Sequence, residues 1–486
     1  MAHENELIEQ RLAKLEKIKE KGANPYIQQF KKSADIADVI KDFKDHETVA
    51  SLAGRIMAVR SHGKSIFADL VDVTGKVQIY IKKDPAAEGN FELFELADIG
   101  DIIGVKGELF KTRTGEPTLS VKELKILSKN LRPLPEKWHG LKDVETRFRQ
   151  RYVDLVMNKE VKDLFTLRSK VIGNIRKFLD EKGYLEVETP MMQPLAGGAT
   201  AKPFETHHNA LNMKLYLRIA PELYLKRLLV GGYEKVYEIN RNFRNEGIST
   251  RHNPEFTMLE VYTAYADCQD VMVLTENMFS HIANVCLGAT KVAYKDTTID
   301  LAPPWKRISL YEALKTHTGV DFKNINIDDA RKAASRLGVE YDKTYSIWDL
   351  MDKVFEKAIA PQLVQPTFVI DYPAELCPLA KRKKDDPSVT ERFELFVGTQ
   401  EVANAYSELN DPIEQRKRFT EQAQSHQGQS QIDEDFLRAL EYAMPPAGGL
   451  GVGIDRLIML LANKESIREV ILFPHLKPEG AYEHAE

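Results

Sequence analysis

Apolar residues first recur at helical spacing. Leu7, Leu12, Leu15 and Ile18 form one stripe between residues 4 and 21, glutamates and lysines fill the other faces, and Gly22 and Pro25 close the segment. The pattern predicts a helix within a leading segment, 1–47. From 48 to 130 the period changes to two: Val77, Ile79 and Ile81 alternate with Gln78, Tyr80 and Lys82. Thr74-Gly75 and Thr114-Gly115 mark hairpin turns, and Gly54, Gly104 and Gly107 punctuate the same stretch. A proline-containing linker, 131–147, follows, centred on Arg132–Gly140. Beyond it Leu164, Leu167, Val171, Ile172, Ile175, Phe178 and Leu179 mark a long helix stopped at Gly183.

Several short strands joined by tight turns predict a small closed barrel for 48–130, with an OB-fold as the leading candidate. The remainder, 148–486, mixes helices and strands without a βαβ rhythm. It reads as an antiparallel sheet flanked by helices, so the whole chain is α+β. The segment SHQGQSQ, Ser425–Gln431, reads as a polar loop.

Composition narrows the class. A chain of 486 residues with 43% hydrophobic and 29% charged residues is globular and long enough for two or three cores. A net charge of −5 excludes a uniformly basic nucleic-acid coat but leaves room for a local basic surface. The three cysteines, Cys268, Cys286 and Cys377, are far apart, which argues against a disulfide framework or a cysteine-zinc site. MAHENELIEQRL lacks an apolar signal core, and no apolar run approaches the ~18 residues of a membrane span. A cytoplasmic enzyme with no membrane partner is expected.

The chemistry is concentrated in VYEINRNFRNEGISTRHNPEFTMLEVY, Val236–Tyr262, where charges stand at positions that a structural sheet would fill with apolar residues. Val236, Glu238, Asn240 and Asn242 share one face. Arg244, Glu246, Arg251 and His252 crowd the connection before Phe256, Met258 and Glu260. A guanidinium for phosphate, a carboxylate for a base amino group and a ring beneath a purine suit a nucleotide better than a solvated hairpin. GGLGVGIDR, Gly448–Arg456, reads as glycines opening an apolar helix, with Gly453 and its neighbours letting backbone amides approach a phosphate. Arg456 in that helix needs either a carboxylate partner or a ligand phosphate.

Further along, Glu394 and Glu401 are diagonal neighbours across a Gly398-Thr399 hairpin and suit Mg²⁺ ions on a polyphosphate; solvated glutamates are the plainer alternative. Simple alternation turns Asn404, Tyr406 and Glu408 to the opposite face unless a bulge intervenes. Glu222, Glu260, Tyr262 and Glu408 sit in apolar surroundings and suit a buried ammonium group, with structural salt bridges as the competing account. In the barrel, Phe67, Gln78 and Arg60 offer a stacking ring, an amide and a cation for splayed bases. No GxSxG elbow or HExxH motif is present. The set points to activation of a carboxylate by ATP, with charge stabilised by position rather than by a covalent intermediate.

Taken together, these segments resemble class II lysyl-tRNA synthetases of the bacterial and eukaryotic type over nearly the whole chain. GYLEVETP (Gly183–Pro190) resembles motif 1, FRNEGISTRHNPEFTMLE (Phe243–Glu260) motif 2 and GLGVGIDR (Gly449–Arg456) motif 3, while GGATA, APELYLKR and NAYSELND resemble the lysine-specific segments. The resemblance implies a homodimer that joins L-lysine to tRNA(Lys). It places Arg244 between ATP and the substrate carboxylate, and Glu246, His252, Asn253, Phe256, Glu394, Gly453 and Arg456 around ATP. More than one Mg²⁺ would lie on Glu394 and Glu401. Gly198, Glu222, Arg244, Glu260, Tyr262, Asn404, Tyr406 and Glu408 would surround lysine. Arg60, Phe67, Gln78 and Glu123 would read the anticodon. Thr399 departs from the family, where a second glycine is common, as does Cys268 after YAD, where an aromatic is usual. Two other readings compete. An aspartate-using relative would need cations where this chain has glutamates, and a noncatalytic RNA-binding derivative has no reason to keep Arg244, Arg456 and both magnesium glutamates.

Overall fold

The computed structural model describes residues 2–83, 88–135, 143–199, 201–425 and 432–479. The linker's 136–142 and nearly all of the SHQGQSQ loop lie outside the described residues. Residues 1–142 and 143–486 form two compact units.

In the first unit, strands Val49–His62, Ser65–Val71, Lys76–Lys82, Ile102–Lys111 and Pro117–Ser128 close into a barrel. Neighbours pair antiparallel, except that Lys76–Lys82 meets Pro117–Ser128 in parallel to complete the ring. The period-two residues Val77, Ile79 and Ile81 point inward and are buried. Gly107 sits at a register shift where a Cβ would press into the Ser120 carbonyl, so the strands could not approach there with a side chain. The helix Ala2–Glu20 buries Leu15 and Ile18, and Ile36–Lys41 buries Ile36 and Val39. Ile18, Ile36 and Val39 belong to the barrel's own core, so the leading 47 residues share that core; Leu12, expected in the stripe, is exposed.

The second unit is built on an eight-stranded sheet. Its order is Lys306–Ser309, Thr367–Ile370, Arg392–Val397, Gln400–Ser407, Ala447–Gly453, Glu255–Ala264, Lys235–Phe243 and Leu185–Glu186. The central pairings are antiparallel, as expected, but the outermost pair at each edge is parallel. A parallel pair needs a crossover. The helices Leu310–Thr318, Ile327–Arg336 and Ile347–Ala358 supply one and enclose a core of their own. The helix Glu222–Val230 lies within the other. Where a linker was expected to run to 147, Val144–Arg149 is already helical, with Asp143 accepting from the Thr146 amide as its cap.

One face of the sheet is apolar. Tyr237, Leu259, Phe393, Leu395, Ala403 and Val452 pack with the helices Lys159–Asp180, Cys268–Leu287 and Ile454–Leu461 into the main core. Lys159–Asp180 buries Val171, Ile175 and Leu179, and the chain turns at Gly183 with φ +79°. The opposite face therefore receives Glu238, Glu260, Glu394, Asn404 and Tyr406, the alternate residues of the same strands.

Two local features go beyond the sequence reading. The glycines do lead into an apolar helix, which starts at Ile454 with Gly453 as its cap, but the run itself is a strand, Ala447–Gly453, hydrogen-bonded on both sides. A Cβ at Gly449 would collide with Glu408 and come within 2.7 Å of the Tyr262 ring, so the missing side chains clear room for polar groups from neighbouring strands. In the Gly398-Thr399 hairpin, Val397 does face Gln400 and Phe396 faces Glu401. Leu395, however, then faces Ala403, leaving Val402 as a bulge. That extra residue sets Glu394 opposite Asn404 and turns Asn404 and Tyr406 to the polar face.

Candidate functional site

The polar face opens into two neighbouring cavities that share Arg244, Met258, Asn404 and Gly451. The first is acidic. Glu222 begins the helix Glu222–Val230, Glu260 and Tyr262 alternate along one strand, and Asn404 and Tyr406 alternate along another that runs on to Glu408. All six line this cavity with Gly198. Gly198 has φ +86°, and a Cβ there would come 3.2 Å from the Cβ atoms of Ala220 and Glu222. The Tyr406 hydroxyl donates to Glu222 Oε1 at 2.6 Å, and the Tyr262 hydroxyl donates to Glu260 Oε2 at 3.1 Å. Burial, then the nearby Glu222 charge, push the Glu260 carboxyl up to about 8. Burial also raises Glu408 well above the carboxylate range, with Lys226 opposing it.

The second cavity is lined by Glu246, His252, Asn253, Phe256, Gly453 and Arg456, together with Arg244 and Glu401. The Arg244 guanidinium stands 5.1 Å from the Phe256 ring centroid, and its buried Nε has no hydrogen-bond partner among the described residues. Burial pulls the Arg244 pKa down while Glu401, Glu246 and Glu260 oppose that pull. Arg456, for which either a carboxylate or a phosphate was expected, has the carboxylate: Nη1 donates to the Glu401 carbonyl at 2.7 Å and pairs with Oε2 at 3.2 Å. Both side chains stay partly open to the cavity, 24% and 39% exposed, which leaves Arg456 able to meet an anion as well. Burial and the Arg456 charge lower the His252 pKa, so its imidazole is neutral at pH 7. Asn253 is committed elsewhere: its Nδ2 donates to the Glu255 carbonyl and its Oδ1 accepts from the His475 amide.

Glu394 alone among the expected ATP and lysine residues lines neither cavity. The Arg392 Nη2 donates to its Oε1 at 2.6 Å and the Tyr372 hydroxyl to its Oε2 at 2.8 Å. Burial, with Glu401 and Asp352 adding to it against Arg392 and Tyr372, pushes Glu394 up to about 7.

Sequence reasoning missed two cations here. Arg392 lines the acidic cavity, stacks 4.5 Å from the Tyr372 ring centroid and donates to Asn404 Oδ1 at 3.0 Å. Its alternation with Glu394 was visible, but nothing marked its direction. Lys226, one turn after Glu222, is 0% exposed and pairs with Glu222 Oε1 at 2.6 Å and with Glu408. The four-residue spacing in APELYLKR was the available signal.

On the barrel, Arg60 faces Phe67 across one strand pair, Phe67 faces Tyr80 and Asp69 faces Gln78 across the next, so these side chains share the outer surface. Arg60 is paired with Asp69 at 2.7 Å. Gln78 is buried, donating to Glu116 and accepting from the Thr118 hydroxyl. Glu123 stands farther along its strand, paired with Lys106 at 3.1 Å. The sequence reading missed the ring row: His62, Phe67, Tyr80, Phe110 and His46 follow one another at centroid spacings of 6.1, 4.9, 6.0 and 6.1 Å.

Comparison with known proteins agrees with this division. The family model for tRNA synthetases class II (D, K and N) matches residues 143–477, and that for an OB-fold nucleic acid binding domain matches 50–127. A lysine–tRNA ligase of Pelotomaculum thermopropionicum is 57% identical over 482 residues, covering 98% of this chain and 95% of the relative. One from Carboxydothermus hydrogenoformans is 55% identical over 98% of both chains, and one from Moorella thermoacetica is 54% identical over 98% of this chain and 99% of its own. With an OB-fold domain followed by a matched domain that covers the whole two-cavity sheet, the chain belongs to the class II tRNA synthetases of the D, K and N family.

Proposed function

We propose that the chain is a lysine–tRNA ligase. It activates L-lysine with ATP and transfers the lysyl group to the 3′ end of tRNA(Lys). The observation that carries this reading is Arg244 placed between an acidic cavity and a cavity lined by Phe256 and Arg456. The acidic cavity, with Glu222, Glu260 and Glu408, suits the lysine side-chain ammonium and repels an aspartate side chain. The lysine carboxylate then faces Arg244. A carboxylate oxygen attacks the α-phosphorus, the bond from that phosphorus to the pyrophosphate oxygen breaks, and Arg244 stabilises the charge that develops. Phe256 and Glu246 hold the adenine, and Arg456 meets the outer phosphates. In the second step the terminal ribose hydroxyl of tRNA attacks the lysyl carbonyl and AMP leaves. Tyr262 and Tyr406 fix their carboxylate partners through both steps.

The donor set fits magnesium. That ion binds through one or two carboxylates plus substrate phosphates, and Glu401 is half open while Glu394, Glu401 and Asp352 repel one another. Glu401 would hold it, with Glu394 behind, and the ion would neutralise polyphosphate charge. Phe67 and Gln78, with Arg60 and Glu123, read the anticodon from the barrel.

The protein acts as a homodimer in the cytoplasm. Leu185, Met191 and Met192, on either side of Pro190 in the chain, are exposed apolar residues suited to a second copy, as are Leu211 and Met213. No described helix is long and apolar enough to cross a membrane. Sedimentation at micromolar concentration is expected to give a dimer, and monomer alone would remove that part of the reading. Pyrophosphate exchange into ATP should depend on lysine. Exchange supported by aspartate, or by no amino acid, would overturn the reading.

A further inference from the structure

Lys226 is a cation where the proposed substrate cation is to bind, yet it does not line the cavity. Its side chain is 0% exposed, packed 5.5 Å from the Tyr406 ring centroid and 6.0 Å from that of Phe436. It takes one oxygen from each of two carboxylates, Oε1 of Glu222 and Oε2 of Glu408. The other oxygens, Glu222 Oε2 and Glu408 Oε1, carry no hydrogen bond among the described residues, and Glu408 Oε1 is buried in the hollow left by Gly449. An unpaired buried acceptor is costly, and it is satisfied by a donor that arrives later.

We propose that Lys226 is a built-in counter-ion that positions Glu222 and Glu408 for an additional ammonium group. It acts from behind the wall, so it is a positioning and specificity-determining residue that does not touch the substrate. Two carboxylates this close would repel, and one would take up a proton and turn from acceptor to donor. Lys226 lies against both, opposing the rise that burial imposes on Glu408, and leaves each carboxyl fixed by one oxygen and free at the other. The two remaining oxygens are left as acceptors for a single alkylammonium in the cavity that both residues line. A neutral or acidic side chain leaves both free oxygens unmet. The inference rests on the lysine reading of this cavity and adds the device that sets its charge.

The test is steady-state pyrophosphate exchange with Lys226→Met, Lys226→Ala and Lys226→Arg. Lys226→Met keeps the bulk and loses the charge; the KM for lysine is expected to rise by about 30-fold or more, with the KM for ATP within about threefold. Lys226→Ala also leaves a hole, so added ethylammonium should recover part of the lysine affinity there and none in Lys226→Met. Lys226→Arg should fall between wild type and Lys226→Met. An unchanged lysine KM in Lys226→Met overturns the proposal, as does a parallel rise in both Michaelis constants or equal amine effects in Met and Ala variants. If wild type itself fails to use lysine, the functional reading fails instead, and the two failures are told apart by that control.

Discussion

At the residue scale the strongest constraint is Arg244, partly buried, with a buried Nε that has no hydrogen-bond partner among the described residues and with the charges of Glu401, Glu246 and Glu260 acting on it. An arginine left in that state is expensive for a folded chain and makes sense when a ligand's anions complete it. Arg244→Ala is therefore expected to cut lysine-dependent pyrophosphate exchange by about 10²–10³, the usual cost of one preorganised contact to developing charge. Near-normal exchange in the variant would take Arg244 out of its role. Glu260 offers a second, pH-dependent check. Its folded pKa of about 8 lies above the ordinary value of 4.5, so the folded chain holds a proton that the unfolded chain has lost. Stability from this group consequently falls as pH rises from about 4.5 to 8, and Glu260→Gln should flatten that slope. A bound ammonium favours the ionised form, so lysine binding near pH 7 should release a proton from Glu260. Calorimetry in buffers of different ionisation heat would detect it, and a variant Glu260→Gln that released as many protons would assign them elsewhere.

At the element scale, what could be read from sequence depended on whether a pattern was local. Val77, Ile79 and Ile81 announced their strand because alternation needs no partner. The Gly398-Thr399 turn fixed Val397 opposite Gln400 for the same reason. The bulge at Val402 was unreadable, since one extra residue in a strand of mixed polar and apolar side chains leaves no mark until the partner strand is present. The glycines of Ala447–Gly453 were read only as the opening of a helix, because glycines carry no alternation that marks a strand; Glu408 and Tyr262, distant in sequence, explain them. The partners that occupy the amides of Asn253 and Gln78 could not be read either, since they come from His475 and Thr118, far along the chain. The hairpin also yields a stability prediction. Thr399 is β-branched at φ +69°, a conformation costing about 1–2 kcal/mol for such residues. Glycine there relieves the strain but loses about 0.5–1 kcal/mol through a freer unfolded chain. Thr399→Gly should thus raise the stability of the catalytic unit by about 0.5–1 kcal/mol. A lower denaturation midpoint would mean that the threonine makes contacts outweighing its strain.

At the scale of the whole molecule, the barrel and the sheet unit have separate cores and separate chemistries, which makes their contributions separable by experiment. The barrel's outer face holds a row of rings with Phe67 and Tyr80 4.9 Å apart at its centre and Arg60 beside them, the composition expected of a surface that stacks splayed bases. None of these residues belongs to the barrel's buried core, which is formed by Ile66, Ala68, Leu70 and Ile79 on the alternate positions of the same strands. Stacking one base is worth about 1–3 kcal/mol, so Phe67→Ala should lower tRNA charging by about one to two orders of magnitude. Lysine-dependent pyrophosphate exchange needs no tRNA and should stay near the wild-type rate. Tyr80→Ala should show the same split if the row works as a continuous platform, and should leave charging unchanged if Phe67 stacks its base alone. A loss of both activities in Phe67→Ala would make the ring a support of the barrel instead of a reader of RNA. Unchanged charging in both variants would take Phe67 and Tyr80 out of anticodon recognition and leave it to the outer rings of the row, His62, Phe110 and His46, or to another surface.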